Sequence, residues 1–197
     1  MKVILGSASP RRRELLGLIY PNFEILIPDI NEEIRGGESS AGFAERMSRE
    51  KMAAIMPLCH NEKTPFLAVT ADTVVSAGDE SIGKPADFED ARRILKLLSG
   101  QVHEVITGVT IFMKQRHKYN IMLTAHEITK VTFKKLEDTE IIRYLNMIEY
   151  TDKAGAYAVQ ENGALIIERV VGSLSNVAGF PLRLFLRMLP EVMLYYL

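Results

Sequence analysis

The sequence predicts an α/β protein in which helices flank a single mixed sheet. Residues 66–71 form a near-continuous apolar run, which is typical of a strand buried on both faces. Helical segments alternate with strands, but residues 102–133 have the pattern of a long hairpin, so we expect a mixed sheet rather than a purely parallel one. The chain has 197 residues, 47% of them hydrophobic, which is enough for one core, and we expect a single domain over 1–197.

The composition excludes several classes of function. The formal net charge is −1, so the chain has no global basic field that would attract nucleic acid. Its single cysteine, Cys59, excludes an internal disulfide framework and fits a reducing compartment. No apolar run approaches the ~20 residues that a membrane helix needs. We therefore expect a cytoplasmic protein that binds neither membranes nor nucleic acid.

The first helix is predicted to begin at an anion-binding turn. Residues 3–6 form an apolar strand, and Ser9 can cap a helix over about 10–19 that begins with a proline. The arginines at 11–13 oppose the helix dipole there. These arginines are tolerable there if an anion such as phosphate binds at the turn. The anion would then be surrounded by the arginines, the free backbone N–H groups and the serine hydroxyls. A solvated basic helix start is the plainer alternative.

An acidic loop separates the second strand from the second helix. Residues 23–27 alternate loosely as a strand, and Glu32 lies in the acidic run that follows. Ser39 or Ser40 can cap a helix that extends to about residue 55 and carries Lys51. Carboxylates such as Glu32 suit magnesium, whereas the plainer alternative for Glu32 and Lys51 is a solvated surface.

Asp72 is the most informative single position. With Thr73 it interrupts the apolar strand, and a carboxylate there is costly unless it is paired, hydrogen-bonded or bound to a metal. The strand resumes, turns at 77–80 and returns as a hairpin that brings Lys84 nearby. These features favour a functional carboxylate over one that only satisfies backbone N–H groups at a strand end.

The middle of the chain combines helices with the long hairpin. Asp87 can cap a helix over 88–98, whose apolar residues recur at helical spacing. The hairpin 102–133 has a polar tip at 114–118, and Asp138 can cap a further helix to about residue 148.

Small residues follow Asp152 and Lys153 and predict a loop that lets a ligand approach the backbone closely. The loop leads into a short strand ending near Gln160, whose amide can read a base edge, although an exposed strand residue is the plainer alternative. Another strand is expected at 164–171. The last helix is expected to bury three leucines: Leu182, Leu186 and Leu189.

Together these residues predict the hydrolysis of a phosphoanhydride. The cations available to hold a phosphorylated ligand are Arg11, Arg12, Lys84 and Lys51. Asp72 and Glu32 supply carboxylates suited to a metal ion or to a water molecule. The chain has no Walker motif, no dinucleotide glycine motif and no paired His or Cys for zinc.

Several motifs occur in a characteristic order along the chain. They are Ser-x-Ser-Pro-Arg-Arg-x-Glu-Leu-Leu at 7–16, Ala-Asp-Thr at 71–73, Gly-Lys-Pro at 83–85, Leu-Ser-Gly at 98–100, Asp-Lys-Ala-Gly-Ala-Tyr at 152–157, Gln160 and Gly-Phe-Pro at 179–181. With these motifs the chain resembles the Maf family of nucleoside triphosphate pyrophosphatases over almost its whole length. The resemblance implies a fold similar to that of inosine triphosphate pyrophosphatases, with two lobes around a central cleft, and a homodimer.

The resemblance also implies a reaction and a cofactor. The reaction is hydrolysis of a nucleoside triphosphate to the monophosphate and pyrophosphate with a divalent cation, Mg²⁺ or alternatively Mn²⁺ or Co²⁺. By position, Asp72 matches the proton acceptor, and we expect the metal to be held partly by Glu32 and Asp72. The other matching positions for phosphate or metal are Ser9, Arg12, Lys51 and Lys84. We add Ser7 to the phosphate site, and Asp152 and Lys153 to the cleft.

Arg11, Thr73 and Gln160 match the positions that mark base preference in the family. This set resembles the subgroup that prefers dTTP, UTP and modified uridine triphosphates, rather than the subgroup acting on 7-methylguanosine triphosphate. Thr70 and Glu161 replace glycines that are usual in the family, and both are expected to border the base pocket.

The function expected is therefore house-cleaning hydrolysis of dTTP, UTP and modified pyrimidine nucleotides. An alternative is a non-catalytic nucleotide-binding regulator of cell division or septum formation. Asp72, Lys84 and Glu32 together argue against it, because a pure binder needs no base. A nucleic-acid-binding role for the arginines at 11–13 is disfavoured, since the chain has no second basic cluster with aromatic residues.

Overall fold

The computed structural model of the protein describes residues 1–78, 80–115 and 120–193. Within them, seven strands form one sheet: β1 (Lys2–Gly6), β2 (Glu24–Leu26), β3 (Phe66–Ala77), β4 (Glu80–Ile82), β5 (Val102–Lys114), β6 (Ile121–Phe133) and β7 (Ile167–Val171). The α-helices of the same residues are α1 (Pro10–Gly17), α2 (Ser40–Ile55), α3 (Phe88–Leu98), α4 (Asp138–Leu145), α5 (Leu174–Val177) and α6 (Leu182–Met193). The predicted mixed sheet with flanking helices is confirmed.

The sheet combines parallel and antiparallel pairs. Its order is β2-β1-β3-β5-β6-β7, and β4 pairs with β3. β1 runs parallel to β2 and to β3, whereas the remaining pairs are antiparallel. The hairpin predicted over 102–133 is confirmed as β5 and β6, while residues 116–118 of its expected tip and Asp79 of the turn before β4 lie outside the described residues.

Side chains of β3 alternate between two covered faces, as expected for a strand buried on both sides. Phe66, Ala68 and Val74 pack in clusters with α2 on one face. On the other face, Leu67 and Val69 share a core with α1 and α6, and further along β3 a separate core contains residues of α3 and α4. Residues of both of these last two cores line the cleft described below.

A gap in the sheet lies beside the middle of β3. The last residue of β1, Gly6, is opposite Thr70, and pairing with β4 starts at Val75. Among the described strands, residues 71–74 therefore have a neighbour only on the β5 side. The expectation that Asp72 interrupts the strand is wrong, because β3 continues through it. The polar residue instead marks where the neighbouring strand ends.

The segment before Gln160 also differs from the expected strand. Gly155 and Ala156 have positive φ angles, +74° and +59°, which turn the chain sharply. The residues 154–156 accordingly form a 3₁₀ turn, with no strand between them and Gln160 in the described structure.

Three details of the helices differ from expectation. The α4 helix is capped by Glu137 in a capping box with Glu140, rather than by Asp138. The four-residue α5 was not predicted. Leu186 is 49% exposed instead of buried, because it lies with Arg187 on the outer face of α6. The buried stripe of that helix consists of Leu184, Phe185, Met188, Leu189 and Val192. None of the helices in the described residues is long and apolar enough to cross a membrane.

Candidate active site

A cleft of about 760 Å³ opens at the gap between β1 and β4. It lies at the carboxyl end of the parallel strand β1, where ligands of open α/β sheets commonly bind. All twelve site residues predicted from the sequence line it: Ser7, Ser9, Arg11, Arg12, Glu32, Lys51, Asp72, Thr73, Lys84, Asp152, Lys153 and Gln160.

The turn between β1 and α1 has the predicted geometry. Ser9 is the N-cap of α1 and its Oγ accepts a bond from the Arg12 backbone N–H at 3.5 Å, while Pro10 occupies the first turn. The Oγ of Ser7 accepts from the Ser9 N–H at 3.1 Å. Two hydroxyls and the start of a helix thus face the cleft together.

The guanidinium of Arg12 is held by three hydrogen bonds. Its Nε donates to the Gly179 carbonyl at 2.8 Å, Nη2 to Thr73 Oγ1 at 3.0 Å and Nη1 to Ser7 Oγ at 3.4 Å. Burial lowers the pKa of Arg12, and nearby carboxylates oppose that effect. An arginine stays charged under such conditions, so a fixed cation lines the cleft. Arg13, by contrast, is exposed.

Close packing of α2 on the sheet brings Lys51 into the cleft. A Cβ atom at Gly108 of β5 would lie 2.3 Å from the carbonyl oxygen of Ala44, so only glycine lets α2 approach this closely. Lys51 lies seven residues after Ala44, which places it on the same face of the helix. Lys51 is 7% exposed and Asp72 is 4% exposed, so the solvated alternative for this lysine is excluded.

Glu32, Lys51 and Asp72 form a compact group, called here the Asp72 cluster. Lys51 Nζ is 2.5 Å from Asp72 Oδ1 and 2.6 Å from Glu32 Oε1. Lys84 Nζ lies 3.6 Å from Glu32 Oε2. Burial raises the pKa of Glu32, but the charges of Lys51 and Lys84 and the bond from Lys51 outweigh it, so the pKa is lowered overall. Glu32 is therefore ionised at neutral pH.

A second charged group, the Arg11 cluster, comprises Arg11, Asp152 and Lys153. Arg11 Nη1 is 3.0 Å from Asp152 Oδ2, and Lys153 Nζ is 2.9 Å from Asp152 Oδ1. Burial raises the pKa of Asp152, while the bond from Lys153 and the charge of Arg11 lower it, and the net shift is downward. The cluster joins the start of α1 to the loop after α4.

The positions that depart from the family pattern have different environments. Thr70 is fully buried and its Oγ1 donates to the Ser48 carbonyl of α2 at 2.6 Å, so the expectation that it borders the base pocket is wrong. Glu161 contacts Lys153 of the Arg11 cluster at 3.4 Å. Gln160 is exposed and lines the cleft.

Sequence reasoning missed a buried support behind the cleft wall. Tyr157 lines the cleft, and its hydroxyl is 2.8 Å from His103 Nε2. Burial lowers the pKa of His103 to about 4, so its ring is neutral at physiological pH. Tyr157 belongs to the recognised loop motif, but nothing in the pattern of β5 distinguished His103 from an ordinary strand residue.

A comparison with known families agrees with the motifs and the site. A family model described as Maf-like protein matches residues 2–192. The chain belongs to the Maf family. The match includes every residue of the Asp72 and Arg11 clusters.

Two curated relatives of this Maf chain are named dTTP/UTP pyrophosphatase. The protein of Geobacter sulfurreducens is 44% identical over 92% of this chain and 91% of its own length. That of Aquifex aeolicus is 39% identical over 98% of this chain and 96% of its own. Among solved structures, the Ham1 protein of Staphylococcus aureus is 11% identical, with a TM-score of 0.44 over 97% of this chain and 99% of that one.

The cleft of this Maf chain therefore combines two kinds of chemistry. Fixed cations and a helix start are suited to a polyphosphate. The Asp72 cluster adds two carboxylates that share one cation, and such groups can bind a metal or accept a proton from water.

Proposed function

We propose that the chain hydrolyses dTTP and UTP to the nucleoside monophosphate and pyrophosphate. The observation that carries the proposal is the carboxylate of Asp72, which is buried at the gap in the sheet yet lines the cleft beside three cations: Arg12, Lys51 and Lys84. The name and high coverage of the curated relatives support the same reaction.

The phosphates are bound at the start of α1 and by the surrounding cations. Arg12 is already oriented by its bonds to Thr73 and Gly179, which leaves its remaining N–H groups available to phosphate oxygens. The hydroxyls of Ser7 and Ser9 add donors on the same side of the cleft. Lys84, with a side chain that is 55% exposed, contributes a further positive charge for the triphosphate.

Asp72 serves as the base in the chemical step. A water oxygen forms a bond to the α-phosphorus, the bond from that phosphorus to the pyrophosphate oxygen breaks, and Asp72 accepts the proton that the water loses. Lys51 holds Asp72 Oδ1 in place, so the carboxylate keeps a fixed direction during this step.

The same carboxylates fit a divalent cation. Lys51 Nζ occupies the point that Glu32 Oε1 and Asp72 Oδ1 share. The second oxygens of the two carboxylates, Glu32 Oε2 and Asp72 Oδ2, are therefore the ones we assign to the divalent cation. The described residues contain no group of three or more His, Cys, Asp or Glu that could hold a metal, so Glu32 and Asp72 are the ligands to test. Mg²⁺ suits them because it binds through one or two carboxylates together with substrate phosphates, and Mn²⁺ and Co²⁺ are alternatives. When bound, such a cation neutralises phosphate charge.

Base selection is assigned to Arg11, Thr73 and Gln160. Gln160 has an amide with both donors and acceptors, which can pair with the edge of a pyrimidine. We further propose that the chain is one domain over 1–197 and acts as a cytoplasmic homodimer. Light scattering of the purified protein tests the homodimer, because it measures the mass of the particle in solution.

The proposed function is tested by pyrophosphate release from a panel of canonical and methylated nucleoside triphosphates with Mg²⁺, Mn²⁺ or Co²⁺. We expect dTTP and UTP to be the best substrates and EDTA to abolish release. Tight nucleotide binding without release from any nucleotide would overturn the proposal and favour a non-catalytic regulator.

A further inference from the structure

Thr107 lies directly behind the part of the cleft wall that holds Arg12. The pairing of β3 with β5 places Thr107 opposite Thr73, and Thr107 is 0% exposed. Its Oγ1 is 3.0 Å from Thr73 Oγ1 and 3.2 Å from the Asn176 carbonyl oxygen. Thr107 thus connects a residue of the cleft to the segment that follows β7.

The hydrogen bonds that link Thr73, Thr107 and the Asn176 carbonyl form a row, and the chemistry of these groups fixes the direction of each bond in it. A hydroxyl has one proton to donate, and a carbonyl oxygen only accepts. Thr107 must therefore donate to Asn176, which means that Thr73 donates to Thr107. The oxygen of Thr73 is then left to accept, and Arg12 Nη2 donates to it at 3.0 Å.

The row closes into a ring that returns to the same guanidinium. The Asn176 carbonyl also accepts from the Gly179 N–H at 2.8 Å. The Gly179 carbonyl in turn accepts from Arg12 Nε at 2.8 Å. Two donor nitrogens of Arg12, Nε and Nη2, are consequently held by one hydrogen-bonded ring that passes through Thr107.

The far side of the ring is tied to the sheet. The amide Nδ2 of Asn176 donates to the Val105 carbonyl at 2.9 Å and lies 3.0 Å from Thr129 Oγ1. Asn176 is fully buried, and Ser173 caps the short α5 that contains it. The Asn176 carbonyl, which accepts the hydrogen bond from Thr107, is therefore fixed in position.

We propose that Thr107 is a positioning residue for Arg12, through which it strengthens the binding of the triphosphate. The role rests on the proposed function, because it requires Arg12 to bind phosphate. Because Thr107 accepts the hydrogen bond that Thr73 donates, the Thr73 oxygen stays free to accept one from the guanidinium. Without the Thr107 hydroxyl, the O–H of Thr73 has no buried acceptor in the ring and can turn towards Arg12. Two donors, the Thr73 O–H and the Arg12 N–H, would then face each other.

The test compares Thr107→Val, which keeps the shape but removes the hydroxyl, with Thr107→Ser, which restores it. For Thr107→Val we expect KM for dTTP to rise about tenfold with kcat changed less than about threefold, the pattern of a lost binding interaction with a charged donor. Thr107→Ser is expected to return KM to within about threefold of the wild type.

Thr110→Val is the matched control. Thr110 is equally buried on the same strand, but its hydroxyl faces α2, where it lies 2.8 Å from Ser48 Oγ and 2.9 Å from Thr124 Oγ1. Both valine variants lose a buried hydroxyl and are expected to lose similar thermal stability. Only Thr107→Val is expected to change KM.

A double-mutant cycle with Arg12→Met shows whether Thr107 acts through Arg12. We expect Thr107→Val to have no further effect on KM in the Arg12→Met background, because the guanidinium it orients is gone. Three results would each overturn the proposal. They are an additive effect of Thr107→Val in the Arg12→Met background, equal KM values for Thr107→Val and Thr110→Val, and a KM for Thr107→Ser that stays as high as that of Thr107→Val. If the wild type releases no pyrophosphate, the proposed function fails, and the same comparison of dTTP affinity by calorimetry decides the role of Thr107, with about tenfold weaker binding expected for Thr107→Val.

Discussion

The Asp72 cluster and the Arg11 cluster both pair carboxylates with cations in the same cleft, but their surroundings differ. The side chain of Asp72 is 6% exposed, whereas that of Asp152 is 41% exposed. Lys51 and Asp72 belong to a long helix and a central strand, while Asp152 and Lys153 belong to a loop. The Lys51–Asp72 pair of the first cluster is therefore buried and held by regular elements, whereas the Arg11–Asp152 pair of the second is partly solvated. The remaining members differ from their pairs: Glu32 is exposed in the loop before α2, and Lys153 is buried.

This difference in burial indicates which cluster takes part in the chemical step and which selects the nucleotide. Charges in a poorly solvated position interact strongly, and breaking one such pair leaves the partner uncompensated. Charges near solvent interact weakly and can rearrange at little cost. We therefore assign the chemical step to the Asp72 cluster and the selection of the nucleotide to the Arg11 cluster.

The largest effect on stability is expected from Lys51→Met, which removes the cation shared by Asp72 and Glu32. The free energy of unfolding should fall by about 3 kcal/mol, because a buried carboxylate loses its partner. Turnover of dTTP should fall by about 100-fold, as for the loss of a group that stabilises charge in the reaction. Added Mg²⁺ should raise the unfolding temperature of Lys51→Met more than that of the wild type.

Lys96→Met is the matched control for that substitution. Lys96 lies 2.8 Å from Asp138, but both side chains are well exposed. We expect it to change the free energy of unfolding by less than about 1 kcal/mol and to show no added effect of Mg²⁺. Equal losses in the two variants, measured by urea unfolding, would remove the distinction between buried and solvated pairs.

A smaller effect is expected from pH, through the support behind Tyr157. Burial lowers the pKa of His103 to about 4, whereas an unfolded chain binds the proton near 6.5. Between these values the unfolded state holds a proton that the folded state lacks, so stability falls as pH falls, by about 2 kcal/mol from pH 7 to pH 5.

His103→Gln provides the comparison, because glutamine can still bond the Tyr157 hydroxyl but does not titrate. Its stability should depend less steeply on pH than that of the wild type in urea unfolding at several pH values. Parallel curves for the two proteins would contradict the assignment of this pH dependence to His103.

The smallest effect is expected from Asp152→Asn, which keeps the shape of the Arg11 cluster but removes its negative charge. The free energy of unfolding should change by less than about 1 kcal/mol. The ratio of kcat/KM between dTTP and the other nucleotides should change about fivefold, with kcat for the best substrate nearly constant. A loss of turnover as large as that of Lys51→Met would contradict the division of tasks.

Much of the fold was predictable because its long elements have strong local patterns. The apolar run of β3, the stripe of α3 and the hairpin of β5 and β6 were all recognised from spacing alone. The four-residue α5 is too short to have a period. The turn at Gly155 and Ala156 depends on backbone conformation that small residues permit but do not require.

The site was predictable as a set of residue types but not as a geometry. Asp72 was noticed because a carboxylate is unusual in a buried strand, although it marks the end of β1 rather than a break in β3. That Lys51 lies between two carboxylates follows from the packing of α2 on Gly108, a contact between distant parts of the chain. The role of Thr107 depends on the register of β3 with β5, which no local pattern specifies.

The central claim, that Asp72 activates the attacking water, is tested most directly by Asp72→Asn. An amide can still accept the bond from Lys51, which keeps Glu32 as its charged partner, but an amide cannot take up a proton. We therefore expect the variant to stay folded and to bind dTTP. Pyrophosphate release from dTTP should fall by about 1,000-fold. Release at the wild-type rate in this variant would contradict the account.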